Sequence, residues 1–242
     1  MLKLFFKLIL VFILLAVLLM GIQVARVYFC TRQVNYSIQP WQQIKPGASF
    51  KVLFAGDSTA VGTGLTDNSL STSGLLSRDF PDADVENHSR NGLRLKGLID
   101  ILNTLQDKKF DLAVLQIGAN DILDFTPLAE IRDDQRHVLN LTRAIASRII
   151  ILHSGDIGKA PMLIWPFTWI YTWRSLKVRA MYMASQDDRV SYVDIYTLNK
   201  AKDLSQGYAK DNLHLNKEGY ALWYGYIKTQ LQKLHWLPGR EI

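Results

Sequence analysis

The chain has 242 residues, of which 48% are hydrophobic and 21% charged, with a formal net charge of +6. That length holds one substantial domain plus an appendage. Lys3, Lys7 and Arg26 supply part of the charge before residue 31, with no acid among them. The modest balance left over gives no footing for a nucleic-acid partner. Cys30 is the one cysteine, which excludes an internal disulfide and any cysteine-based metal site.

From the amino terminus, Leu8 to Ile22 contains no polar side chain, and extension to Ala25 admits only Gln23. This is close to the ~20 residues that span a bilayer core. Lys3 and Lys7 precede it, as in a cleaved signal peptide or a retained signal anchor. Cleavage wants small residues at two positions, and neither Gln23-Val24-Ala25 nor Leu19-Met20-Gly21 supplies both. Val27-Tyr28-Phe29 is too bulky for a lipoprotein site at Cys30. The expectation is an anchor over residues 1–30, spanning about 8–25. The lysine count at the amino end puts the remaining domain on the exported side.

Residues 31–50 read as a linker, with Gln33, Asn35, Ser37, Gln39, Pro40, Pro46 and Gly47 and no clean period. Beyond it lies the domain, 51–242. Strands are expected at Lys51–Ala55, Asp84–Asn87, Leu112–Ile117, Arg148–His153 and Val190–Ile195. Three are short continuous apolar runs, the pattern of a parallel sheet covered on both faces. Between them, Thr126 reads as an N-cap with Pro127 opening a helix. Leu128, Ile131, Val138, Leu141 and Ile145 form its apolar face. Pro166 opens another helix after Trp165; Trp165, Trp169 and Trp173 recur every four residues. Packing into the core is the plainer expectation for them. The other is an apolar wall or a membrane-interface surface, with Lys177 and Arg179 near headgroups. Asn216 caps the last helix, with Tyr220, Trp223, Ile227, Leu231 and Leu234 on one face and Pro238-Gly239 closing it. Strand–helix alternation implies an α/β three-layer domain, with ligands beyond the carboxyl ends of the strands.

Ser58 follows the first strand within Gly56-Asp57-Ser58, and Asn120 follows the third within Gly118-Ala119-Asn120-Asp121. Ester cleavage by serine needs a base, an acid to orient it and donors for the oxyanion. Of the five histidines (His88, His137, His153, His214 and His235), only His214 has a carboxylate three residues earlier in a loop, Asp211. That spacing lets Asp211 reach Nδ1 and leaves Nε2 for the serine proton. The Ser58 N–H, the Gly92 N–H and the Asn120 amide are the candidate oxyanion donors. His153 is a competing base, with Asp156 as its one available acid. Gly62-Thr63-Gly64 lacks the pattern of a phosphate loop and reads as a flexible turn. Asp133-Asp134 and Asp187-Asp188 read as solvated acids, not metal ligands. Asp121 reads as a structural brace.

These four blocks, in order, resemble the signature blocks of the SGNH hydrolases, also called GDSL esterases and lipases. The resemblance spans residues 51 to about 220. It implies a flavodoxin-like, mostly parallel five-stranded sheet. It also implies Ser58 as nucleophile, His214 as base, Asp211 as its acid, Gly92 and Asn120 as oxyanion donors, and no cofactor. Family members act on carboxylic esters, thioesters and acetylated glycans. Two positions depart from the pattern: Thr59 stands where the family's name expects Leu, and Leu215 where a proline often follows the histidine. Acyl transfer to, or deacetylation of, an envelope glycan or lipid by the same triad is the alternative activity. A non-catalytic binding module is a third, and it predicts the loss of a triad member.

Overall fold

A computed structural model describes residues 2–34, 36–200 and 206–238. Asn35 of the expected linker and Gly239 of the expected helix stop lie outside the described residues. Helix α1 (Leu2–Thr31) is long and apolar enough to cross a membrane and is almost wholly unburied. At 1.5 Å per residue it is about 45 Å long, well over a ~30 Å hydrocarbon core.

The domain then alternates as the apolar runs require. Strand β1 (Lys51–Gly56) leads into α2 (Ser58–Val61) and α3 (Thr72–Asp79). Strand β2 (Asp84–Asn87) leads into α4 (Leu95–Asn103), and β3 (Phe110–Gln116) into α5 (Ala119–Leu123) and α6 (Leu128–Ile145). Then come β4 (Ala146–Leu152), α7 (Phe167–Ala184), β5 (Val190–Tyr192), α8 (Ile195–Lys200) and α9 (Lys217–Lys233). The five strands pair in parallel in the order β2-β1-β3-β4-β5. This is the flavodoxin-like order, and its direction reverses between β1 and β3.

Each face of the sheet is covered. Leu53, Ala113 and Ile149 pack under Leu98 of α4, Val138 of α6 and Val178 of α7. Phe54, Val114 and Ile150, one residue along, turn to the other face and meet Leu76 of α3 and Tyr220 and Ile227 of α9. Alternate residues of β1, β3 and β4 therefore serve two cores, which is why these strands read as unbroken apolar runs.

Element boundaries moved in several places. Strand β3 starts at Phe110, two residues before its apolar run, because Asp111 accepts the Lys51 N–H at 2.7 Å and holds the strand start. Strand β5 stops at Tyr192 because Asp194 turns aside to pair with Arg179. Thr126 is not the cap of α6; Pro127 takes that position, and the Thr126 carbonyl accepts from Arg174 at 2.6 Å. Asn216 does cap α9, its Oδ1 accepting from the Gly219 N–H at 3.0 Å. The segment between α1 and β1 lies on the domain: Gln43 bridges to Val85, Trp41 donates to Ser77 and Phe50 is buried.

One glycine decides how closely β1 and β3 approach at the switch point. A Cβ on Gly56 would stand 1.9 Å from the Gln116 carbonyl oxygen, with no flexible atom to give way. Gly56→Ala must push the two central strands apart. It is expected to cost on the order of 3 kcal/mol, read as a lowered urea midpoint in equilibrium unfolding.

Candidate active site

The turn after β1 is built to expose a hydroxyl. The Asp57 N–H donates to Gln116 O at 2.9 Å, continuing the sheet one residue past the strand. The Asp57 carboxylate then accepts from the Thr59 N–H at 2.9 Å and the Thr59 hydroxyl at 2.8 Å, capping α2. Thr59, a departure from the family pattern, thus completes this cap. Ser58 opens the helix, and its N–H has no acceptor among the described residues. Gly62, at φ 96°, ends the helix after one turn.

The turn Gly62-Thr63-Gly64 is tightly held, contrary to the expectation of flexibility. Thr63 is fully buried, and its hydroxyl donates to Asn91 Oδ1 at 2.5 Å. Tyr220 of α9 donates to the Thr63 carbonyl at 2.9 Å and lies 3.4 Å from that of Ser58. Gly64, at φ 103°, has no room for a Cβ: the Leu215 carbonyl would be 2.2 Å away. The loop carrying His214 therefore closes directly on the loop carrying Ser58.

In that second loop, Asp211 Oδ1 accepts from the N–H groups of Leu213 and His214 at 3.1 and 3.0 Å. Its Oδ2 meets His214 Nδ1 at 2.5 Å. On the far side of the ring, Nε2 lies 3.0 Å from Ser58 Oγ. Asp211 has no exposed surface. Burial pushes its carboxyl up. The hydrogen bond and charge of His214, with the two backbone N–H groups, outweigh this and hold it below the ordinary aspartate value. A carboxylate so fixed holds the Nδ1 side of the ring and turns Nε2 toward the serine.

Gly92 and Asn120 reach the same place. Asn91, held by Thr63, donates in turn to Tyr36 O at 3.2 Å, and Gly92 follows at φ 71°. The Gly92 N–H has no acceptor among the described residues. Asn120 donates one amide hydrogen to Leu93 O at 2.9 Å; an NH₂ group has a second to offer. Ser58, Gly92, Asn120 and His214 all line one cavity of about 270 Å³. Tyr36 also lines it, its ring set edge-on to His214 with centroids 5.7 Å apart. Sequence reasoning missed Tyr36, which sits in the expected linker; a bulky aromatic among polar residues was its only signal.

His153 is not brought to this cavity. It is buried, its Nδ1 meets the Tyr192 hydroxyl at 2.8 Å, and its ring packs against those of Tyr182 and Tyr192, which also touch each other. Burial pushes its pKa down to about 4, so it stays neutral and part of the core. Asp156 does reach the cavity wall, but it caps the short turn Ile157–Lys159 and accepts from Thr172. Asp133 pairs with Arg136 and Asp187 with Arg143 at the surface.

A strictly parallel sheet in this order, with a serine after its first strand, an asparagine after its third and an aspartate–histidine loop closing on both, defines an α/β hydrolytic architecture. The sequence model of the GDSL-like lipase/acylhydrolase family matches residues 54–222. The chain belongs to that family and is a carboxylic ester hydrolase. No curated protein matches it. Among solved structures, a G-D-S-L family lipolytic protein from Veillonella parvula aligns with TM-score 0.62 and 16% identity, over 76% of this chain and 100% of its own. An acetylxylan esterase from Geobacillus stearothermophilus aligns with TM-score 0.56 and 19% identity, over 81% and 100%. A salicylyl-acyltransferase from a tetracycline biosynthetic pathway aligns with TM-score 0.59 and 18% identity, over 81% and 58%. At such identities the likeness is one of fold.

Asp121 lies beneath the site and carries a cost. It is buried, and its Oδ2 accepts from the Leu95 N–H at 3.1 Å. Burial first, with help from the nearby Asp57 charge, pushes its pKa up to about 6. A carboxyl raised in the folded state loses stability as pH climbs from the unfolded value near 4 through 6 and gains it back below. Asp121→Asn keeps an acceptor for Leu95 and removes the charge. It is expected to stabilise the fold by about 2–3 kcal/mol at pH 8, with the gain vanishing at pH 4. Denaturant unfolding of both forms at the two pH values measures this.

Proposed function

We propose that Ser58, His214 and Asp211 form the catalytic triad of this ester hydrolase. Ser58 Oγ attacks the acyl carbon while His214 Nε2 takes its proton. Asp211 keeps the ring oriented and stabilises the imidazolium that forms. The oxyanion is received by the Ser58 N–H, the Gly92 N–H and the free hydrogen of Asn120. His214 returns the proton to the departing alcohol. It then activates water to release the acyl group from Ser58. The observation that carries this is the unbroken chain Asp211–His214–Ser58, at 2.5 and 3.0 Å, on the wall of a cavity with unused N–H donors.

Ser58→Ala is expected to lower kcat on p-nitrophenyl acetate by about 10⁴-fold or more, with Tm unchanged. Asp211→Asn keeps an acceptor for the loop N–H groups but favours the wrong imidazole tautomer. It should lose about 10³–10⁴-fold. Retained turnover in Ser58→Ala would remove the assignment.

A second activity, acyl transfer to a hydroxyl acceptor, is favoured by the cavity wall. Ser154 Oγ, Asp156 Oδ2, Asn199 Oδ1 and Trp223 Nε1 are buried there without a hydrogen-bond partner among the described residues. Unpaired polar groups of this kind suit a ligand bearing hydroxyls. Turnover of p-nitrophenyl acetate with glycerol or a xyloside present separates the two: acetylated acceptor marks transfer, and acetate alone marks hydrolysis.

The domains follow from the same reading. Residues 1–30 are retained as a membrane anchor spanning about 8–25, residues 31–50 join it to the domain, and residues 51–242 form the catalytic domain on the exported side. The bare apolar surface of α1 supports this. The substrate is a small-molecule, lipid or glycan ester.

A further inference from the structure

Two features outside the site point the same way. The first is a clamp between α1 and the domain. Gln23 Oε1 accepts from the Ile164 N–H at 3.0 Å, and its amide lies 3.5 Å from Met162 O. Arg26 donates to Met162 O at 3.1 Å and to Pro161 O at 2.9 Å. Gln23 is the one polar side chain within the apolar span, and it is buried at this contact. Along a helix rising 1.5 Å per residue, Lys7 and Arg26 lie about 28 Å apart, so the two charges fit opposite edges of a ~30 Å hydrocarbon core. Pro161 to Ile164 are then held at the level of one headgroup layer.

The second feature starts at the next residue. Trp165 and Trp169 are each 70% exposed and Trp173 is 46% exposed. The expectation that they pack into the core fails: α7 buries its other side, with Arg174, Ser175, Val178 and Tyr182. Arg174 donates to the carbonyls of Asp121, Ile122 and Thr126, which fixes which side faces in. Trp169 and Trp173, one turn apart on α7, therefore share its outward side, and Trp165 stands exposed two residues before the helix, extending the stripe. Lys177 continues it, its Nζ 5.8 Å from the Trp173 ring centre. Phe125, also exposed, leans on Tyr171 beside it. Three exposed tryptophans in nine residues, two of them on α7 and one just before it, give an apolar surface that a soluble protein avoids.

We propose that this stripe is a membrane-docking surface and that its occupant is the headgroup–acyl boundary of the phospholipid bilayer that α1 crosses. Tryptophan partitions to that boundary, where its ring is apolar and its N–H finds water and ester oxygens. Lys177 is placed for lipid phosphate. Continuity with the clamp selects this occupant: the stripe begins one residue after Ile164, whose N–H Gln23 holds. The proposal rests on α1 being retained as an anchor. It also places the cavity. Ile157 and Ala160 line it, and Pro161, adjacent in the chain, touches Arg26. The site therefore opens beside the bilayer surface.

The test uses the full chain reconstituted in phosphatidylcholine vesicles brominated near the headgroup end of one acyl chain. Bromine quenches only the tryptophans it approaches. Wild-type protein, with six tryptophans, is expected to lose roughly a third of its emission relative to unbrominated vesicles. The triple variant Trp165→Gln, Trp169→Gln, Trp173→Gln is expected to lose almost none. Far-UV circular dichroism and turnover of p-nitrophenyl acetate confirm that the variant is folded. Equal quenching of both proteins overturns the proposal. So does an unquenched wild type, including one whose stripe is covered by a second copy, seen as a dimer in sedimentation. Quenching needs no turnover, so it stands apart from the triad assignment. The intact mass of the extracted protein tests the anchor alone: loss of the amino-terminal residues overturns the anchor, whereas a full mass with unquenched tryptophans overturns the stripe.

Discussion

The site depends on one closure. His214 and Ser58 lie 156 positions apart in the chain, yet Nε2 and Oγ meet at 3.0 Å. Nothing local to either loop produces that distance. It follows from a glycine at position 64 with no side chain to hold the Leu215 backbone away. Tyr220 adds to it by joining α9 to the carbonyl side of the serine turn. The Ala209 N–H closes the histidine loop on itself at His214 O, at 2.8 Å. Each of these is a buried backbone contact, so the geometry is fixed by atoms that cannot relax independently. The position after His214 shows the same thing. A proline would stiffen the loop there; Leu215 instead buries its side chain against Tyr220 and the α9 core.

Three buried carboxyl groups surround this closure, and their environments separate them. Asp211 has the His214 ring and two backbone N–H donors as partners, so its charged form is held despite burial. Asp57 also receives N–H groups, from Thr59 and Ala119, but full burial dominates and its pKa rises. Asp121 accepts from the Leu95 N–H and its own, but burial and the neighbouring Asp57 outweigh these and it rises to about 6. The acids next to Ser58 and next to Asn120 thus brace the backbone at the ends of β1 and β3. The one acid able to stay charged against the histidine is the one that touches it.

Much of this was legible in the residue order. Continuous apolar runs marked β1, β3 and β4 because those strands serve two cores. Serine and asparagine after the first and third of them mark the switch point, since strand direction alone puts both at one edge. The three-residue spacing of Asp211 and His214 carried its geometry locally. What escaped was long-range. Tyr36 meets His214 only because the chain after α1 folds back over the domain. Gln23 and Arg26 contact carbonyls more than 130 positions away. His153 ends a strand as a base would, and only the packing of Tyr182 and Tyr192 removes it. The tryptophan period defined a helix face but not its direction, which the buried Arg174 contacts set.

The segment 156–164 is where the hydrolase fold and the amino-terminal helix share atoms. Asp156, Ile157 and Ala160 line the cavity, while the carbonyls of Pro161 and Met162 accept from Arg26. Asp156 is tied back to Thr172 on α7, and Gly158 packs so closely on Thr168 and Thr172 that a Cβ there would overlap both. One wall of the cavity, the amino-terminal half of α7 and the end of α1 thus form a single packed unit. A displacement of α1 against the domain would be felt first at Met162, then at Ala160 in the cavity wall. Met162 also donates its N–H to Asn212 O at 3.2 Å, inside the loop that carries Asp211 and His214. The end of α1 is therefore joined through Met162 both to the cavity wall and to the loop that sets His214 against Ser58.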